Sequence, residues 1–129
     1  FRVHAWSDVT GFSVVGHACE MAQGSVVLLE IAPEKIDLIP EALEFARMGI
    51  LPEGMYRNRR FAEQWVEPGE TELAVQDMLY DPQTSGGLLI AVDAADADAM
   101  ERELQPAVPS CQRIGRVLSY EGGARMRLV

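Results

Sequence analysis

Asp8-Val9-Thr10-Gly11-Phe12 puts a carboxylate, a hydroxyl and a glycine into one short run. Carboxylate oxygens are the ligands Mg²⁺ prefers. Glycine lets a ligand approach the backbone closely, and free N–H groups where a strand gives way to a helix attract phosphate. Asp8 is therefore a candidate Mg²⁺ ligand, with N–H groups at Gly11 and Phe12 available to the accompanying phosphate. The same Asp8 or Thr10 side chain would equally serve as a plain helix cap.

Asp81-Pro82-Gln83-Thr84-Ser85-Gly86-Gly87 is a second cluster, a turn rich in hydroxyls and glycines whose polar atoms can converge on a ligand. It is no Walker loop, because the lysine that should follow the glycines is missing. On chemistry alone an ordinary connecting turn reads as well. The third cluster, Pro52 to Arg60, collects the anion-facing donors Arg57, Asn58, Arg59 and Arg60. Pairing of these arginines with acids on neighbouring elements is the competing reading.

His17 falls inside the helix expected after the first cluster, about two turns in, and reads as a structural histidine hydrogen-bonded near the core. Met21, Met48, Met78 and Met100 read as core filling. Cys19 and Cys111 share no Cys-x-x-Cys spacing and read as two reduced, partly buried thiols, in a helix and a strand respectively.

These groups need a scaffold, and 129 residues suit one domain, taken as residues 1–129. Hydrophobic residues at 48% and charged residues at 24% match globular usage and argue against disorder. Apolar runs such as Val26 to Leu29 and Leu88 to Val92 are far below the roughly 20 residues of a membrane helix. A soluble domain with no membrane partner is expected. The formal charge of −9 repels polyanions, so nucleic acid is not an expected partner. A nucleotide remains compatible where divalent metal offsets its phosphates.

Alternation from Phe1 to Trp6 predicts a strand that feeds the first cluster. Helical spacing predicts a helix from Thr10 to Gln23, stopped by Gly24, then a buried strand from Ser25 to Ala32 and a helix over 40–48. Residues 50–70 read as a long loop with a strand near Trp65 and Val66. Thr71 is expected to cap a helix that turns Leu73, Val75, Met78 and Leu79 inward. Further elements are a strand from Gly87 to Val92, a helix from Ala94 to Leu104, and strands Cys111–Ser119 and Ala124–Val129 joined as a hairpin at Glu121-Gly122-Gly123. The alternation predicts an α/β sandwich, an α+β layering around a mixed sheet of about five strands.

Taken in order, the three clusters resemble the carboxy-terminal half of selenophosphate synthetases, the selenide, water dikinases. That family carries Asp-Val-Thr-Gly-Phe-Gly-Leu-Leu-Gly-His, then a Pro/Gly loop ending in Asn, then Asp-Pro-Gln-Thr-Ser-Gly-Gly-Leu-Leu, and the last motif is present unbroken from Asp81 to Leu89. Ser13 stands where the family has glycine, and Val14-Val15 replace its two leucines. Related kinases and synthetases of the superfamily, such as thiamine-phosphate kinase and aminoimidazole ribonucleotide synthetase, carry different versions of the first motif.

The resemblance implies a layered α/β/α domain of the aminoimidazole ribonucleotide synthetase type. It implies a cytoplasmic phosphotransferase converting ATP, selenide and water into selenophosphate, AMP and phosphate, with Mg²⁺. Asp8 would be a Mg²⁺ ligand at the interface with an amino-terminal domain that supplies the nucleophile. Thr10, Gly11, Asn58, Thr84, Ser85 and Gly86 would line the same cleft. The parent is expected to be a homodimer, and these residues alone to be inactive. A catalytically silent nucleotide-binding or regulatory domain is the alternative, with Ser13 as its only sign.

Overall fold

The computed structural model describes residues 1–129. The chain runs β1 (Val3–Asp8), α1 (Ser13–Ser25), β2 (Val27–Ile31), α2 (Pro40–Arg47), α3 (Glu53–Ala62), β3 (Val66–Glu67), α4 (Leu73–Leu79), β4 (Leu88–Val92), α5 (Ala97–Leu104), β5 (Gly115–Ser119) and β6 (Met126–Leu128). Six strands form two sheets. An antiparallel ribbon pairs β1 with β4, and a mixed sheet has the order β3-β6-β2-β5. The fold is α/β, as the alternation of elements predicts.

Helix α1 organises the core because one side of it is small and apolar. Val15, Ala18, Cys19 and Ala22 are buried against Leu29, Ile31, Met126 and Leu128 of the mixed sheet and against Met55, Ala62, Leu79 and Tyr80. Small side chains at 18 and 22 let the helix approach the sheet closely. The helix stops at Val26 rather than Gly24. Val26 takes the left-handed conformation at φ 54°, and its N–H bonds the carbonyls of Ala22 and Gln23.

The segment 50–70 is not a loop, since α3 occupies much of it. Its buried positions are Met55, Asn58 and Ala62, a helical spacing in which the middle residue is polar. An asparagine on the inner face hides the apolar period. Near Trp65 the expected strand is present as β3, with Val66 opposite Met126.

The closing hairpin is also replaced by a different pairing. β5 and β6 lie on opposite sides of β2, antiparallel and parallel to it respectively. Residues 111–114 precede β5, so Cys111 is not in a strand. Helix α4 turns Ala74, Asp77 and Leu79 inward and leaves Leu73 60% exposed. Thr71 gives it no side-chain cap; instead its carbonyl accepts the Gln76 side-chain amide at 2.7 Å.

Candidate functional site

Ribbon register joins the first two clusters. Asp8 ends β1 opposite Leu88, at the start of β4. Beyond it the chains stay in contact: Val9 N–H donates to the Gly87 carbonyl at 2.9 Å, Gly86 N–H to the Val9 carbonyl at 2.9 Å, and Gln83 N–H to the Thr10 carbonyl at 3.1 Å. The approach at Gly86 is so close that a Cβ there would lie 2.8 Å from the Val9 carbonyl oxygen. Only glycine fits that contact.

The third cluster reaches the same place through α3. Asn58 is buried, and its Nδ2 donates to the carbonyls of Gly11 at 2.9 Å and Tyr80 at 3.0 Å. Both amide hydrogens are thereby engaged, so Asn58 holds the site walls together. At the start of α3, a Cβ on Gly54 would stand 2.9 Å from Pro82 Cγ. All three clusters therefore meet around the turn that follows β1.

Several polar groups at this meeting point have no partner within the chain. The carboxylate of Asp8 makes no hydrogen bond or ion pair, and the exposed side chains of Thr84 and Ser85 make none either. Gly11 is exposed, and a Cβ there would meet nothing within 4 Å. Open space at Gly11 suits the approach of a ligand. Asp8 shares one face of the ribbon with Trp6, Leu88 and Ile90, because paired residues and residues two apart point the same way. Trp6 is 65% and Leu88 58% exposed, while Leu89, on the other face, is buried.

The donor set suits Mg²⁺ in chemistry but not in number. Asp8 offers hard oxygen ligands, yet no group of three or more His, Cys, Asp or Glu side chains gathers to hold a metal ion. Mg²⁺ commonly takes one or two carboxylates and completes its shell with phosphate oxygens and water. Asp8 fits one place in such a shell.

The arginines divide. Arg59 pairs with buried Asp77 and lies over the Tyr80 ring, 5.0 Å from its centroid. Arg57 and Arg60 are exposed on α3 and make no ion pair. Burial raises the carboxyl of Asp77, against the opposing pull of Arg59. Burial also raises Asp81, whose Oδ2 accepts the Gln83 side-chain amide at 2.8 Å. Cys19 is buried and its thiol is pushed up to about 12, which leaves it unreactive near neutral pH; both cysteines are free.

Two contacts escape a reading of the sequence. Helix α1 begins at Ser13 rather than Thr10, so His17 is only about one turn in, and its Nε2 lies 3.0 Å from Thr10 Oγ1. Side chains of a helix lean toward its amino end, which is the signal that could have found this contact. Phe12 stacks on Phe61 of α3 at 5.7 Å and 6°. Ser13, at φ 70°, is fully buried and does not enter the open turn.

Residues 1–126 match the family described as AIR synthase related protein, C-terminal domain, and the chain belongs to that family. Within it, the chain is similar to the selenide, water dikinases. It is 46% identical over 122 residues to selenide, water dikinase 2 of Peptoclostridium acidaminophilum, covering 94% of this chain and 35% of that protein. Selenide, water dikinase of Clostridioides difficile (strain 630) is 46% identical over 106 residues, 81% of this chain and 30% of that protein. The Treponema denticola enzyme of the same name is 41% identical over 108 residues, 84% of this chain and 30% of that protein. The chain thus spans about a third of the length of the curated relatives it matches. No helix is long and apolar enough to cross a membrane.

Proposed function

We propose that this chain is the carboxy-terminal domain of a cytoplasmic selenide, water dikinase and that it completes a Mg²⁺–ATP cleft with an amino-terminal domain of the same protein. The observation that carries the proposal is the setting of Asp8. It is an unpartnered carboxylate on an exposed apolar face, between Trp6 and Leu88, beside the turn on which the three clusters converge. Exposed apolar surface of this kind marks a face that another surface covers. A carboxylate covered along with it needs a cation, because a buried charge without one costs several kcal/mol, on the order of a whole protein's stability.

In this reading Asp8 supplies one ligand to Mg²⁺ shared with the phosphates of ATP and with carboxylates of the other domain. Bound Mg²⁺ offsets phosphate charge and orients the phosphoryl group. Gly11 leaves room for the phosphates, and Thr10, Thr84 and Ser85 present hydroxyls to the cleft. Gly86 and Asn58 hold its two sides in register. The reaction would convert ATP, selenide and water into selenophosphate, AMP and phosphate, in a homodimeric parent. Cys19 is buried with its thiol pushed up to about 12, and Cys111 belongs to none of the three clusters, so in this reading the nucleophile comes from the amino-terminal domain and the chain alone is inactive. Ser13, the one residue favouring a silent regulatory domain, is buried and gives that alternative no support.

The test is selenide-dependent AMP formation from Mg²⁺–ATP by the full-length protein, with the 129-residue chain and full-length Asp8→Ala assayed beside it. AMP from the full-length protein alone is the expected result. Undiminished turnover by Asp8→Ala would sink the metal role, and no AMP from a folded full-length protein would sink the activity.

A further inference from the structure

We propose that His17 is a positioning residue that fixes the direction of the Thr10 hydroxyl, so that Thr10 meets the cleft as a hydrogen-bond acceptor; the inference rests on the reading of Asp8 to Gly11 as a cleft wall. Thr10 Oγ1 lies 3.0 Å from His17 Nε2, and His17 Nδ1 lies 3.3 Å from Glu20 Oε2. The His17 side chain is 14% exposed and that of Glu20 is 50% exposed, so the imidazole is enclosed while the carboxylate reaches solvent. Phe12 packs edge-on against the ring at 5.7 Å and 64°. His17 and Glu20 are three residues apart on α1, neighbours on one helix face.

The approach to Glu20 lacks the geometry of a hydrogen bond, but an ionised carboxylate repels a bare lone pair at that distance, so the ring nitrogen facing it carries the hydrogen. A neutral imidazole protonated at Nδ1 has only a lone pair at Nε2. The hydroxyl of Thr10 must then donate its single hydrogen to Nε2. What remains on Oγ1 is a pair of acceptor sites, two residues from Asp8. Such an oxygen suits a water bound to a cation, or an N–H donor, and it repels a phosphate oxygen that brings no hydrogen. His17 and Glu20 together therefore select the class of group that Thr10 can receive.

The test uses the full-length protein labelled with ¹⁵N-histidine. Ring-nitrogen NMR should show His17 protonated at Nδ1 and bare at Nε2, with the Nε2 signal moving in Thr10→Val. A hydrogen on Nε2, whether in the other tautomer or in the imidazolium, would overturn the proposal. In turnover with Mg²⁺–ATP, His17→Leu should lower kcat by about tenfold, the scale of one lost hydrogen bond, with the KM for ATP within about twofold. His17→Gln can place an amide oxygen near the position of Nε2 and should recover most of that loss. Equal loss in both variants, or none in His17→Leu, would overturn the role. An inactive Asp8→Ala beside a fully active His17→Leu would fault the positioning alone, whereas an active Asp8→Ala would remove the cleft reading and this inference with it.

Discussion

Asn58 Nδ2 stands 2.9 Å from the carbonyl oxygen of Gly11, and the same nitrogen bonds Tyr80 at 3.0 Å, so one side chain of α3 ties the turn after β1 to the end of α4. Neither carbonyl has another partner across that gap. The geometry of the turn therefore depends on a donor that carries two hydrogens and no charge.

Asn58→Asp keeps the shape and removes the donors. An ionised carboxylate would face two carbonyl oxygens in a site that is nearly closed to water. We predict a loss of about 2–4 kcal/mol in urea unfolding at neutral pH, from the unsatisfied acceptors and the buried charge. A change below about 0.5 kcal/mol, the scale of an ordinary surface substitution, would mean that the clamp is unimportant.

Gly86→Ala tests the closeness of the two clusters. Its Cβ would press to 2.8 Å of the Val9 carbonyl oxygen and 2.9 Å of Val9 Cγ1, and the former is backbone that cannot swing aside. Relief requires the Thr84–Gly87 turn to move off β1, at an expected cost of about 1–3 kcal/mol. Gly11→Ala meets nothing within 4 Å, so it should leave stability near the parent value while impairing nucleotide binding in the full-length protein. Opposite ranking of the two variants in thermal unfolding would contradict this assignment.

What the sequence conveyed depended on whether function and burial used the same alphabet. Asp8, Gly11 and the Asp81–Gly87 turn were legible because their chemistry sits at element ends, where polar and glycine residues are expected to have local reasons. Helix α3 was not, since Asn58 occupies an inward position that an apolar side chain usually fills, and the arginines around it read as loop. The β5–β6 turn was misleading for a different reason. Gly122 and Gly123 do adopt φ 97° and 81°, as a tight turn needs, but local turn chemistry cannot reveal that β2 lies between the two strands. The His17–Thr10 contact is hidden because helical spacing alone extends α1 back to Thr10, which sets His17 a turn too far along it, whereas the helix begins at Ser13.

Two residues hold left-handed backbone without being glycine, and they should respond in proportion to their bulk. Val26, at φ 54°, is β-branched, 63% exposed and makes its capping bonds through the backbone alone. Val26→Gly should stabilise by about 1 kcal/mol, because the left-handed strain disappears and no side-chain contact of note is lost. Ser13, at φ 70°, also accepts the Gly16 N–H at 3.4 Å through Oγ. Ser13→Gly should therefore gain less than Val26→Gly in the same melting experiment, and a loss of stability in Val26→Gly would contradict the account.

Arg59 and Asp77 form the most enclosed ion pair of the chain, with side chains 22% and 10% exposed. Burial raises the Asp77 carboxyl, while Arg59 is what opposes that rise. Removing the arginine as Arg59→Met leaves a buried carboxylate with nothing to offset its desolvation. Its folded-state pKa then lies further above its unfolded value of about 4, so the folded chain binds the proton more tightly than the unfolded one. Stability of the variant should be greatest below that unfolded value and fall as pH rises through the folded pKa. We predict a loss of about 3 kcal/mol at neutral pH, shrinking steadily toward pH about 4. Adding Asp77→Asn to Arg59→Met removes the titrating group, so the double variant should lose the pH dependence and recover part of the stability. Urea unfolding of the parent, the single and the double variant across this range decides it. A single variant whose loss is flat with pH would show that Arg59 acts through packing on Tyr80 rather than through the charge of Asp77.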